Sequence, residues 1–176
     1  PATGFPTYPA MIQAAGGIPV PVPLDEENGF SFDLDAFHAL VSDRTKMIIL
    51  NSPANPTGGV MPPGDLEFVA KAARQHDCWV MSDEIYSRLI FDQDAPVSIT
   101  SLPGMEKRTI IVDGFSKTYA MTGWRLGYMI APKSLARRLD LLMTHAVGCT
   151  ASFTQMAGVE ALNGDQIKVD EALSEY

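Results

Sequence analysis

The chain has 176 residues, enough for one domain with a core of its own, and 46% of them are apolar. A net charge of −8 without any basic stripe argues against nucleic acid or an anionic membrane surface as partner. No apolar run approaches a bilayer span, no leader-like segment opens the chain, and the two cysteines, Cys78 and Cys149, make no CxxC pair.

A disulfide framework is therefore not expected, and a reducing cytoplasm is the expected setting. His38, His76 and His145 have no metal-ligand spacing and read as helix-surface residues. In chain order, Tyr8 to Ala15 reads as a short helix stopped by Gly16-Gly17. Ile18 to Pro23 alternates with prolines and fits an edge strand. Leu34 to Val41 reads as a helix with Asp33 placed to cap it. Met47-Ile-Ile-Leu50 is a short apolar run, as in a strand buried on both faces. Pro53 to Gly59 is a loop by composition, and Asp65 to Gln75 a helix with an apolar stripe at Leu66, Val69, Ala70 and Ala73. Cys78 to Met81, Thr109 to Val112 and Gly127 to Ala131 read as three more buried strands. Ser134 to His145 and Thr154 to Leu162 read as helices. Strands alternating with helices predict an α/β fold, a mostly parallel sheet with helices on both faces.

Ligands of such sheets bind beyond the carboxyl ends of the strands. Asn55 follows the first buried strand, Asp83 and Tyr86 the second, Ser116 and Lys117 the third. That convergence is the reason to expect a site. A lysine just past a buried strand can lose its hydration, becoming a nucleophilic amine able to form a Schiff base. A carboxylate such as Asp83 or Glu84 could pair with a protonated ring nitrogen, and the fork of Arg125 suits a phosphate. Each has a plainer fate when taken alone: a surface lysine, a helix cap or solvated strand end, a surface ion pair.

Together the motifs resemble a known family. Gly114-Phe-Ser-Lys117-Thr-Tyr-Ala-Met-Thr-Gly-Trp-Arg125-Leu-Gly127 resembles the pyridoxal-5′-phosphate (PLP) attachment signature of the class I/II aminotransferases. Asn55-Pro-Thr-Gly58, Ser82-Asp83-Glu84-Ile85-Tyr86 and Phe5-Pro-Thr-Tyr8-Pro9 are similar to three further elements of that family, in its order and spacing. The resemblance implies the aspartate aminotransferase fold and roles for individual residues. Lys117 would hold PLP as a Schiff base and later shuttle the substrate proton. Asp83 would pair with the pyridinium N–H, and Tyr86 and Asn55 would hydrogen-bond the phenolic oxygen. Arg125 would clamp the phosphate with help from Ser116, and Phe5 would stack on the ring. Gly114 departs from members that carry a phosphate-binding serine there.

The resemblance further implies that residues 1–176 are the central part of the large PLP-binding domain. The phosphate-cradling glycine-rich turn would precede Pro1, and the small domain with its carboxylate-binding arginine would follow Tyr176. By itself such a piece is expected not to turn over. The implied substrates are an amino acid and a 2-oxo acid, and the implied assembly is a homodimer, with Cys149 to Thr154 loosely matching a loop that meets the neighbouring subunit. Two other activities share these motifs: a PLP-dependent β-lyase or carbon–sulfur lyase, and the PLP-sensing domain of a transcription regulator.

Overall fold

The computed structural model describes residues 1–91 and 96–175. Its centre is a four-stranded sheet of β3 (Met47–Asn51), β4 (Trp79–Asp83), β5 (Thr109–Gly114) and β6 (Gly127–Ile130), side by side in that order. The first three run parallel and β6 runs antiparallel to β5. A small antiparallel hairpin of β1 (Leu24–Asp25) and β2 (Ser31–Phe32) lies outside this sheet. The helices are α1 (Thr7–Ala14), α2 (Leu34–Leu40), α3 (Pro63–Gln75), α4 (Lys133–Ala146), α5 (Ser152–Asn163) and α6 (Ile167–Ser174).

The core forms where two periodicities meet. In α3 the buried positions are Leu66, Val69, Ala70 and Ala73, the one-sided spacing of an amphipathic helix. In the strands every second side chain points the same way, and Ile48 and Leu50 of β3 and Val80 of β4 belong to the same buried cluster as α3. Phe32, Phe37, Met61, Cys78, Ile99 and Met105 complete it. Pro63 opens α3, where a missing N–H costs nothing because the first helical N–H groups have no intrahelical partner. Asp33 caps α2 as expected, its Oδ1 accepting from Ala36 N at 2.9 Å. Buried Ser31 donates to Asp65 Oδ2 at 2.5 Å and ties the hairpin to the first turn of α3.

Two expectations need correction. Residues 18–23 do not form a strand: Pro23 makes one isolated bridge to Ala2, and pairing begins at Leu24. Three prolines remove the donors a ladder needs, and Ile18 and Val20 stay exposed. The strand at Gly127 is an exposed antiparallel edge, not a buried one. The hairpin β1–β2 was not anticipated, because two-residue strands carry no readable alternation. The sequence also reads as helical towards Tyr176; α6 carries that pattern as far as Ser174, and Tyr176 itself lies outside the described residues.

Leu50 is 1% exposed and sits one residue before the end of β3. Leu50→Ala is expected to lower the unfolding free energy by about 2–5 kcal/mol through lost burial and a residual cavity. The check is the urea midpoint; an unchanged midpoint would contradict the assigned core.

Candidate functional site

Parallel pairing aligns the strand ends. Asn51 of β3 lies opposite Asp83 of β4, and Asp83 lies opposite Val112 of β5. The segments that leave these ends carry the predicted site residues. After β3 the chain turns through 52–59, closed by Ala54 N to Gly59 O at 2.9 Å and Gly58 N to Ala54 O at 2.8 Å, with the Ser52–Pro53 and Asn55–Pro56 peptides cis. Buried Asn51 fixes this turn to the neighbouring strand. Its Oδ1 accepts from Asn55 N at 2.8 Å, and its Nδ2 donates to the Asp83 carbonyl at 3.2 Å. Asn55 then reaches across, its Nδ2 donating to the Tyr86 hydroxyl at 3.4 Å. After β5 the Lys117 Nζ lies 5.5 Å from the centroid of the Tyr86 ring, a cation–π distance.

The Asp83 carboxylate is half-buried and held at both oxygens. Oδ1 accepts from Ile85 N at 3.3 Å, and Oδ2 accepts from the Tyr8 hydroxyl at 2.5 Å. Burial, then the hydrogen bond and charge of Asp83, push the Tyr8 pKa well above the ordinary phenol value, so Tyr8 remains a neutral donor. Phe5 meets the Tyr8 ring edge-on with centroids 5.7 Å apart. Glu84 is turned to other work: its Oε1 accepts from Ser82 Oγ at 2.9 Å and Ser98 Oγ at 2.7 Å, fastening the segment before the Ile99–Ser101 turn to β4.

The structure thus joins Asn55, Tyr86, Lys117 and Asp83 at one sheet edge, with Phe5 linked through Tyr8. Ser116 is half-buried beside Lys117. Arg125 is exposed, in a left-handed conformation with φ 52°, and one guanidinium nitrogen donates to Thr122 O at 2.9 Å. The desolvation expected of Lys117 is not what this chain provides: Gly114 and Phe115 before it are buried, but Lys117 itself is exposed. Gly114 also has a structural reason. It pairs with Gly127, and a Cβ on it would lie 3.0 Å from both Gly127 Cα and Leu126 O. Close approach of β5 and β6 explains why no serine stands there. Sequence reasoning missed two residues. Asn51 lies just past the apolar run Met47-Ile-Ile-Leu50 with no pattern to mark it, and Tyr8 was visible only as part of a motif.

This donor set fits a phosphorylated pyridine aldehyde. A carboxylate could pair with a protonated ring nitrogen, an amide and a phenol joined by a hydrogen bond could meet a ring oxygen, an exposed amine near the phenol ring could take an aldehyde, and the Arg125 fork suits a phosphate. Among the described residues no group of three or more His, Cys, Asp or Glu could hold a metal ion.

A sequence model of the family described as "Aminotransferase class I and II" matches residues 1–176. The chain is 43% identical over 178 residues to an aspartate aminotransferase of Pyrococcus abyssi, covering 100% of this chain and 46% of that protein. It is 40% identical over 178 residues to aromatic-amino-acid aminotransferase 2 of Thermococcus litoralis, again covering 46% of the relative. The chain therefore spans a little under half the length of these relatives. Among solved structures, an aromatic aminotransferase from Pyrococcus horikoshii OT3 superposes with a TM-score of 0.93 at 42% identity, over 99% of this chain and 46% of the other. An aspartate aminotransferase from Rhizobium meliloti gives 0.94 at 32% identity, over 99% and 44%.

Asn51→Ala leaves the Asn55 N–H and the Asp83 carbonyl without their side-chain partner. The expected cost is about 1–3 kcal/mol of stability, the penalty for stranded polar groups. Denaturant unfolding checks it, and full stability in the variant would show that the amide is not the tie between the two strand ends.

Proposed function

The chain belongs to the class I and II aminotransferases, and from that premise we propose that it moves an amino group between an amino acid and a 2-oxo acid, using PLP carried on Lys117. The observation that carries the reading is the arrival of Asn55, of Asp83 with Tyr86, and of Lys117 from the ends of three adjacent strands. The 176 residues are, in this reading, the central part of the large PLP-binding domain, in keeping with the 46% of the Pyrococcus abyssi protein that they match.

When bound, PLP supplies an electron sink for the negative charge that develops at the substrate Cα. The chain's own residues do the rest. Lys117 would hold the cofactor through its amine, and the same amine, once free, would carry the proton taken from the substrate Cα. Asp83, its carboxylate held by Tyr8 and by Ile85 N–H, would pair with the ring N–H. Asn55 and Tyr86 hold the phenolic oxygen, and their mutual hydrogen bond fixes both donors in place. Arg125 and Ser116 would bind the phosphate; Arg125 donates one nitrogen to Thr122 O, which leaves most of its fork for a dianion. Phe5, oriented by its edge contact with Tyr8, would cover the ring face.

A homodimer belongs to the same proposal. Helix α5 exposes Phe153, Met156, Val159 and Leu162, an apolar row that gains from burial against a second copy. No described helix is long and apolar enough to cross a membrane. A cytoplasmic setting is supported by two cysteines that form no pair, one buried and one exposed.

Product analysis on the full-length holoenzyme tests the reaction. The expected products are a 2-oxo acid and a new amino acid; ammonia with pyruvate would identify a lyase instead. Asp83→Ala in that protein is expected to slow the half-reaction by about 10³-fold, the scale of losing one preorganised electrostatic contact in a shielded site. Single-turnover absorbance measures it, and a rate near wild type would remove Asp83 from its role.

A further inference from the structure

Asp83 comes from the central strand, but one of its oxygens is taken by a residue from the far end of the chain. Tyr8 is half-buried on α1, a helix with no fully buried residue. Its hydroxyl donates to Asp83 Oδ2 at 2.5 Å across 75 residues of sequence. The carboxylate oxygen accepts here, and a donated hydrogen bond stabilises the negative charge it carries. The bond is at the short end of the range for O–H···O⁻ contacts, which are about twice as strong as neutral ones.

We propose that Tyr8 is a positioning residue that acts through Asp83, fixing the carboxylate and biasing the proton shared between Asp83 and the cofactor ring nitrogen toward the nitrogen. The inference rests on the reading of Asp83 as the partner of that nitrogen. A carboxylate competing with a ring nitrogen for one proton loses the competition more completely when a second donor already stabilises its charge. Tyr8 suits this because it does not become a competitor itself. Its partial burial and its proximity to Asp83 keep the phenol un-ionised, so it gives a hydrogen bond and never a charge. Ile85 N–H, at 3.3 Å from Oδ1, is the longer of the two bonds and leaves that oxygen the better placed for a further donor. Tyr8 also touches Phe5, so one side chain sets the carboxylate at the ring edge and the aromatic group at its face.

Tyr8→Phe removes the hydroxyl and keeps the ring that packs on Phe5. The test uses full-length holoenzyme reconstituted with PLP carrying 15N in the ring, with wild type, Tyr8→Phe and Asp83→Asn compared. In wild type the ring nitrogen is expected to resonate as a pyridinium. In Tyr8→Phe the resonance is expected to move toward the unprotonated position, and the half-reaction to slow about tenfold or more, the scale of one hydrogen bond to a charged group. A Phe variant with the wild-type nitrogen resonance overturns the proposal, whatever its rate, because a purely structural tyrosine would change rate or stability without moving the proton. If Asp83→Asn also leaves the resonance at the wild-type position, the reading of Asp83 fails and takes the proposal with it. If only Asp83→Asn moves it, Asp83 stands and Tyr8 falls. Should Tyr8→Phe bind PLP weakly, the resonance is read on the bound fraction at saturating cofactor, so the outcome remains decisive.

Discussion

The site depends on the parallel register of β3, β4 and β5. Parallel strands end on the same side, and each is buried enough that a slip by one residue would turn its apolar side chains out of the core. With Asn51 opposite Asp83 and Asp83 opposite Val112, the three exits are forced together. The packing of α3 on Ile48, Leu50 and Val80 is what makes that register costly to change. Core energetics on one face of the sheet thereby set distances between polar groups at its edge.

A second level of control comes from side chains that touch no reactant. Asn51 ties the Asn55 turn to the backbone of Asp83, and Tyr8 ties α1 to the Asp83 carboxylate. Glu84, next in sequence to Asp83, instead anchors Ser82 and Ser98. Alternation along β4 and its exit explains the split: successive side chains point to opposite faces, so two neighbouring carboxylates serve one site and one scaffold. The cofactor chemistry proposed for Lys117 needs this rigidity, because proton transfer falls off steeply when donor and acceptor are displaced.

Much of this was legible in the sequence. The stripe of α3 and the apolar runs of β3, β4 and β5 follow periods that burial enforces, and the structure buries the four stripe residues. The polar residues just past those runs were readable as neighbours because parallel strands carry their exits to the same edge of the sheet. What was not legible depended on contacts distant in sequence. The direction of β6 follows from the close Gly114–Gly127 pairing, which no local pattern announces. The roles of Tyr8 and Asn51 exist only once α1 and the β3 exit meet Asp83. The exposure of Lys117 is set by what surrounds it in space, not by the buried strand before it.

The central claim is that this edge presents Lys117 to an aldehyde cofactor. Borohydride reduction of the full-length protein after incubation with PLP, followed by peptide mapping, tests it most directly. The account predicts a single pyridoxyl label on Lys117; a label carried instead by Lys71, Lys107 or Lys133 would contradict it.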